Sequence, residues 1–105
     1  MPTPSRSEVW LVDLGMTAKV RPCLVVSIPA ELQDRALVTL VPHTTSPRGS
    51  RFEVNVKTHF LQSGAFDAQN LVTIPEAKLL KRLGNLTPSQ METVVSALRL
   101  WLGLQ

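Results

Sequence analysis

A chain of 105 residues with a formal net charge of +3 has room for one small domain around one core. Hydrophobic residues make up 44% of it against 18% charged, a low charge share that leaves apolar surface to meet a partner. There is no apolar stretch long enough to span a bilayer, no apolar secretory segment within Met1–Ser7, and a single cysteine, which excludes an internal disulfide. A cytoplasmic protein is expected, with residues 1–7 a flexible N-terminal segment and residues 8–105 one domain.

In chain order, Glu8–Asp13 alternates Val9 and Leu11 against Trp10 and Val12, which predicts a strand ended by Leu14-Gly15. The loop Met16–Lys19 is short. Apolar runs from Val20 to Ile28 and from Ala36 to Val41 predict two more strands, the second closed by Pro42 because proline cannot donate to a ladder. Cys23 lies inside the first run and reads as a buried, inert thiol. Ser46–Ser50 has the composition of a turn, and Phe52–Val56 alternates as a half-buried strand. A further strand is expected over Gln69–Ile74 and a short helix over Pro75–Leu83, with Gly84 as its stop. The last helix is the best signalled. Thr87, Pro88 and Gln90 form a capping box, Gly103 marks the end, and Met91, Val94, Val95, Leu98, Trp101 and Leu102 recur at helical spacing. Trp10 and Trp101 are expected in the core or a subunit contact. The whole predicts a mainly β, α+β domain: a compact, mostly antiparallel, barrel-like sheet with a C-terminal helix.

If the Val20–Ile28 and Ala36–Val41 strands form an antiparallel hairpin around Pro29–Asp34, the start of the first lies beside the end of the second, and Arg21 comes close to Thr44. A guanidinium and a hydroxyl converging at one sheet end suit a phosphate diester, which takes planar bidentate donors and a short polar partner. Lys19 and Arg21, then Arg48, Arg51 and Lys57, extend a basic rim from there. His43 and His59 stand alone, with no recognisable metal-ligand spacing.

Four motifs in order carry a resemblance: Glu8-Val9-Trp10-Leu11-Val12-Asp13, Arg21-Pro22-Cys23-Leu24-Val25-Val26-Ser27, Val41-Pro42-His43-Thr44-Thr45, and Leu83-Gly84-Asn85-Leu86-Thr87 before a terminal helix. With them the chain resembles the MazF/PemK (Kid) toxins of bacterial type II toxin–antitoxin systems, from about Glu8 to Leu104. That resemblance implies a small SH3-like, CcdB-like antiparallel barrel that forms homodimers. It implies a metal-independent, cofactor-free endoribonuclease that cuts single-stranded RNA at short sequences and leaves a 2′,3′-cyclic phosphate and a 5′-hydroxyl. It also implies a cognate antitoxin whose acidic tail occupies the RNA site.

On the matched positions the family's catalytic arginine falls on Arg21 and its catalytic threonine on Thr44. Arg21 is expected to act as an electrostatic clamp, since a guanidinium is a poor general acid. The acid–base group stays open between two residues. Some relatives carry Arg-x-Asp-Gln where this chain has Phe66-Asp67-Ala68-Gln69, so Asp67 sits one residue early, and a one-residue slip along a strand turns a side chain to the opposite face unless a bulge or loop restores it. His43 has the right ordinary pKa, yet alternation turns it away from Thr44 unless the strand has ended at Pro42. RNA contacts are expected from Thr17, Lys19, Thr45, Ser46, Arg48, Arg51 and Gln69, around unstacked bases and phosphates. Two other readings stay beside the nuclease: a toxin of the same fold that binds DNA gyrase without nuclease chemistry, and a weakened RNA-binding relative.

Overall fold

The computed structural model describes residues 3–15 and 19–104; Thr17, expected to touch RNA, and its neighbour Met16 lie outside them. Seven strands and one long helix follow in the order β1 (Glu8–Asp13), β2 (Val20–Val25), β3 (Leu37–Thr44), β4 (Glu53–Val54), β5 (Ala65–Asp67), β6 (Val72–Pro75), β7 (Leu79–Asn85) and α1 (Pro88–Leu102). All pairings are antiparallel, in the order β4-β5-β3-β2-β1-β7, with β6 also on β3. The barrel-like antiparallel sheet with a C-terminal helix is the predicted architecture. Among the described residues no helix is long and apolar enough to cross a membrane.

Strand alternation builds two cores, one on each face of the sheet. Val9, Leu24 and Val41 point one way and meet Phe66, Leu86 and the helix residues Met91 and Val94. Trp10, Val12, Cys23, Val25, Val38 and Leu40 point the other way and close over Leu79. Burial on both faces explains why β1 to β3 are so rich in Val and Leu. It also places Trp10 in the core, 6% exposed, with its indole N–H donating to Glu8 Oε1 at 3.0 Å. The N-terminal segment, expected to be flexible, is tied down in its described part: Ser7 N donates to Val25 O at 2.9 Å, and Leu86 N donates to Ser7 O at 2.9 Å.

The last helix forms as predicted. Thr87 accepts from Gln90 N, Gln90 reaches back to Thr87 N, and Gly103 closes the helix in the left-handed region at φ 69°. Met91, Val94 and Ala97 are buried, whereas Trp101 and Leu102 are 42% and 49% exposed, so the apolar stripe outruns the sheet beneath it. Replacing Thr87 by alanine orphans the Gln90 N–H and should lower stability by about 1 kcal/mol, read as an earlier denaturant midpoint with an unchanged slope.

Two elements differ from expectation. Pro42 does not end β3. The strand runs on through His43 and Thr44, because β6 leaves that edge at Leu40 and β5 joins it at His43, so Pro42 falls in the gap between them, where that side needs no donor. Residues 75–83 are not a helix. A short 3-10 turn, Glu76–Lys78, leads into β7, which takes up the free edge of β1 from Val12↔Leu79 to Glu8↔Asn85. Gly84 is inside that strand rather than at a helix stop, and a Cβ there would lie 2.6 Å from the Phe60 ring. The other strands shift in extent. Phe52–Val56 pairs only over Glu53–Val54, the Gln69–Ile74 strand starts at Val72 after the 3-10 turn Ala68–Asn70, and β5 was not anticipated.

Candidate active site

Register decides which side chains meet. β2 and β3 pair Cys23↔Pro42, and two more steps along the same register set Arg21 opposite Thr44. Residues opposite one another share a face, so Arg21, Pro42 and Thr44 stand on the side of Cys23 and Leu40. β5 pairs Thr44↔Ala65, which extended by two places brings Asp67 opposite Pro42, and β4 pairs Glu53↔Asp67. The result is a cleft of about 380 Å³ at the sheet end, walled by Arg21, Thr44, Asp67, Glu53 and the turn residues Ser46 and Arg48, with Ser50, Gln69 and Asn70 at its margin. The hairpin inferred from sequence therefore does bring Arg21 and Thr44 into one site.

Within the cleft, the Thr44 hydroxyl accepts from Ser46 N at 3.1 Å. That bond fixes the oxygen and leaves its proton free to donate toward a ligand. Asp67 reaches the cleft face by register, with no bulge. Its carboxylate is also a cap, accepting from Gln69 N at 3.1 Å and from Asn70 Nδ2 at 2.8 Å.

Glu53 was missed in the sequence, where it read as one polar position in an alternating strand. Its carboxylate accepts from Arg48 N at 3.0 Å and Ser50 N at 2.8 Å, and these backbone donors, Arg48 foremost, hold its pKa below the ordinary value. It thereby fixes the turn that presents Arg48 and Ser46. The available signal was Gly49, whose positive φ of 81° makes the turn tight enough to aim successive N–H groups inward.

His43 goes elsewhere. Because β3 continues past Pro42, alternation turns His43 to the helix-side face, where it is 4% exposed and packs edge-on against Phe66 at 5.1 Å between centroids. Its Nε2 has no hydrogen-bond partner among the described residues. Burial first, and Arg21 second, lower its pKa from 6.5, so the ring is neutral at neutral pH. The linkage sign follows. The unfolded chain protonates His43 first, so this contribution is complete above about pH 6.5 and is lost as pH falls from there toward the lowered folded value. Melting temperature should drop between pH 7.5 and pH 5.5, and the drop should be smaller in His43→Leu.

The remaining expected contacts divide. Thr45 lines a second cleft rather than the first. Arg51 lays its guanidinium over Phe52 at 4.8 Å, and Phe52 in turn meets Trp101 at 5.2 Å. Lys19 is exposed, with a positive φ of 56°, on neither cleft wall. Burial pushes the Cys23 thiol up to about 12 against the opposing pull of Arg21, which makes it unreactive at neutral pH. Among the described residues no three His, Cys, Asp or Glu side chains are grouped to hold a metal ion.

The fold and site define a small barrel-like antiparallel protein with an arginine and a hydroxyl together at one sheet end, beside a basic turn. Comparison with known proteins is more specific. Residues 5–102 match the model of the PemK-like, MazF-like toxins of type II toxin–antitoxin systems. Endoribonuclease MazF4 of Mycobacterium tuberculosis is 35% identical over 104 residues, covering 99% of this chain and 97% of that protein. An endoribonuclease solved in complex with its cognate antitoxin, from a mycobacterial species, superposes with a TM-score of 0.81 at 31% identity, covering 100% of this chain and 98% of that one. MazF in the MazE–MazF complex of Deinococcus radiodurans gives a TM-score of 0.84 at 22% identity over all of both chains, a likeness of fold. This chain belongs to the PemK-like, MazF-like toxin family.

Proposed function

We propose that this chain is the toxin of a type II toxin–antitoxin pair and cleaves single-stranded RNA by internal transesterification at the cleft between Arg21 and Thr44. The observation that carries the reading is the convergence of those two residues on one polar cleft by strand register, in a chain whose relatives are named endoribonucleases. Cleavage of this kind needs the 2′-oxygen deprotonated, the charge on the pentacoordinate phosphorus stabilised and a proton for the leaving 5′-oxygen. Arg21 supplies a fixed positive charge and parallel N–H donors to the non-bridging oxygens. The Thr44 hydroxyl, held by Ser46 N, donates to the same phosphate.

Asp67 is the acid–base candidate that shares the cleft with this pair. His43 lies across the sheet end, in the second cleft, and reaches the reacting atoms only from that side. Ser46, Arg48 and Gln69 border the same cleft and are assigned phosphate and base contacts.

The partner is a cognate antitoxin, as in the mycobacterial complex, with an acidic segment suited to the basic turn. The exposed Trp101, Leu102 and Leu104 at the end of α1 favour a homodimer. The test is a long single-stranded RNA incubated with purified protein in excess chelator, with the new 5′ ends mapped. Discrete cuts bearing 5′-hydroxyls support the metal-free nuclease. Intact RNA from a folded protein that instead inhibits DNA supercoiling would reassign it to the gyrase-binding class, and RNA bound but not cut would make it a weakened relative.

A further inference from the structure

The catalytic cleft has a neighbour. Alternation along β1, β2 and β3 sends Leu11, Pro22 and His43 to the face opposite Arg21 and Thr44, and there they line a second cleft of about 620 Å³ with Phe60, Leu61 and Gln62. Arg21, Thr44 and Ser46 border both clefts, so the proposed phosphate-binding edge is a ridge between them. A phosphodiester seated on that ridge directs its two nucleosides to opposite sides.

The two sides differ in chemistry. The catalytic cleft carries two carboxylates and two arginines among polar neighbours. Among the described residues the second cleft has no charged side chain except Arg21 at its rim, and its walls combine apolar surface from Leu11, Val20, Pro22, Phe60, Leu61 and Leu83 with a few polar groups. Flat apolar walls with one or two placed hydrogen-bonding groups suit a nucleobase better than a phosphate. The polar groups are the exposed Gln62 amide, which offers both donor and acceptor, and His43, buried with an unpartnered Nε2. That nitrogen is itself shut off from the surface, so the Gln62 amide is the group free to meet a ligand edge, while His43 forms part of the wall. Gly64 brings the 60–64 segment against this wall, since a Cβ there would stand 2.8 Å from His43 Cε1.

We infer that the second cleft is a nucleobase-selecting subsite, in which the base of the one nucleotide flanking the scissile phosphate on that side lies against the apolar wall and Gln62 reads its edge. The inference rests on the RNA-cleaving reading and deepens it. It makes Gln62 a specificity residue, with preference at one flanking position depending on it.

The experiment is cleavage of a randomised single-stranded RNA pool by wild type and Gln62→Ala, with base preference tabulated at each position around the cuts. The expected result is a preference at one flanking position that weakens about tenfold or more in Gln62→Ala, the scale of one lost hydrogen bond, while the other positions keep theirs. Unchanged preferences in Gln62→Ala, whose exposed side chain leaves folding intact, would overturn the subsite. So would an equal relaxation at every position, which would signal a loosened fold instead. A wild-type protein that leaves the pool intact overturns the RNA reading and the subsite with it.

Discussion

Replacing Arg21 by alanine is expected to lower RNA cleavage by about 10²- to 10³-fold, the range for loss of one preorganised charge stabiliser in a water-poor site. The folded state should be little changed. Arg21 is half-buried, at the second position of β2, and makes no side-chain hydrogen bond or ion pair with any described residue. Its backbone stays paired opposite Val12 whatever the side chain. Single-turnover cleavage of a short RNA alongside a denaturant melt separates the two effects. Lysine at this position should recover only part of the loss, because an ammonium keeps the charge but not the paired planar donors. Full activity in Arg21→Ala would remove the guanidinium from the mechanism.

The second large effect is expected from a residue with no side chain. A Cβ on Gly64 would lie inside contact distance of the Thr44 carbonyl oxygen and 2.8 Å from His43 Cε1. Neither can move freely. The Thr44 carbonyl belongs to β3, where Thr44 pairs with Ala65, and the His43 ring is packed on Phe66. Gly64→Ala must therefore shift the end of β3 itself, at a cost of about 1–3 kcal/mol in stability for overpacking. The same shift displaces the Thr44 hydroxyl, so cleavage should fall by well over tenfold in protein that is still folded, since small misplacements of a reacting group are costly. Equal activity of Gly64→Ala and wild type would show that Thr44 does not need its present position.

Both predictions depend on strand pairing; the β2–β3 pairing under the first was open to reading, whereas the β3–β5 pairing under the second was not. The alternation in β1, the hairpin of β2 and β3, and the capping box of α1 are local patterns, with partners within a few residues or across one turn. They were enough to bring Arg21 and Thr44 together. The resemblance to the toxin family was carried by those same residues, and the match over residues 5–102 agrees with it.

Residues 79–85 show where local reading stops. Leu79, Leu80 and Leu83 recur at helical spacing, and β7 alternates poorly because its register with β1 shifts twice, between Val9 and Trp10 and between Leu11 and Val12. Each irregularity breaks the two-residue period by which a strand is recognised. What makes the segment a strand is the open edge of β1, at the other end of the chain, and no window of local sequence contains that edge.

By itself, then, the sequence determined the family, the Arg21–Thr44 pairing, the last helix and the inert burial of Cys23, because each follows from near neighbours or from the residue's own chemistry. Only the tertiary structure decided the rest. It carried β3 past Pro42 by changing partners from β6 to β5, which turned His43 across the sheet and left it against a second cleft. It brought Asp67 and Glu53 to the face of Arg21 and Thr44 through ladders between β3, β5 and β4. Those outcomes depend on which edge meets which, and with a side-chain period of two a single place in register decides the face on which a carboxylate or an imidazole emerges.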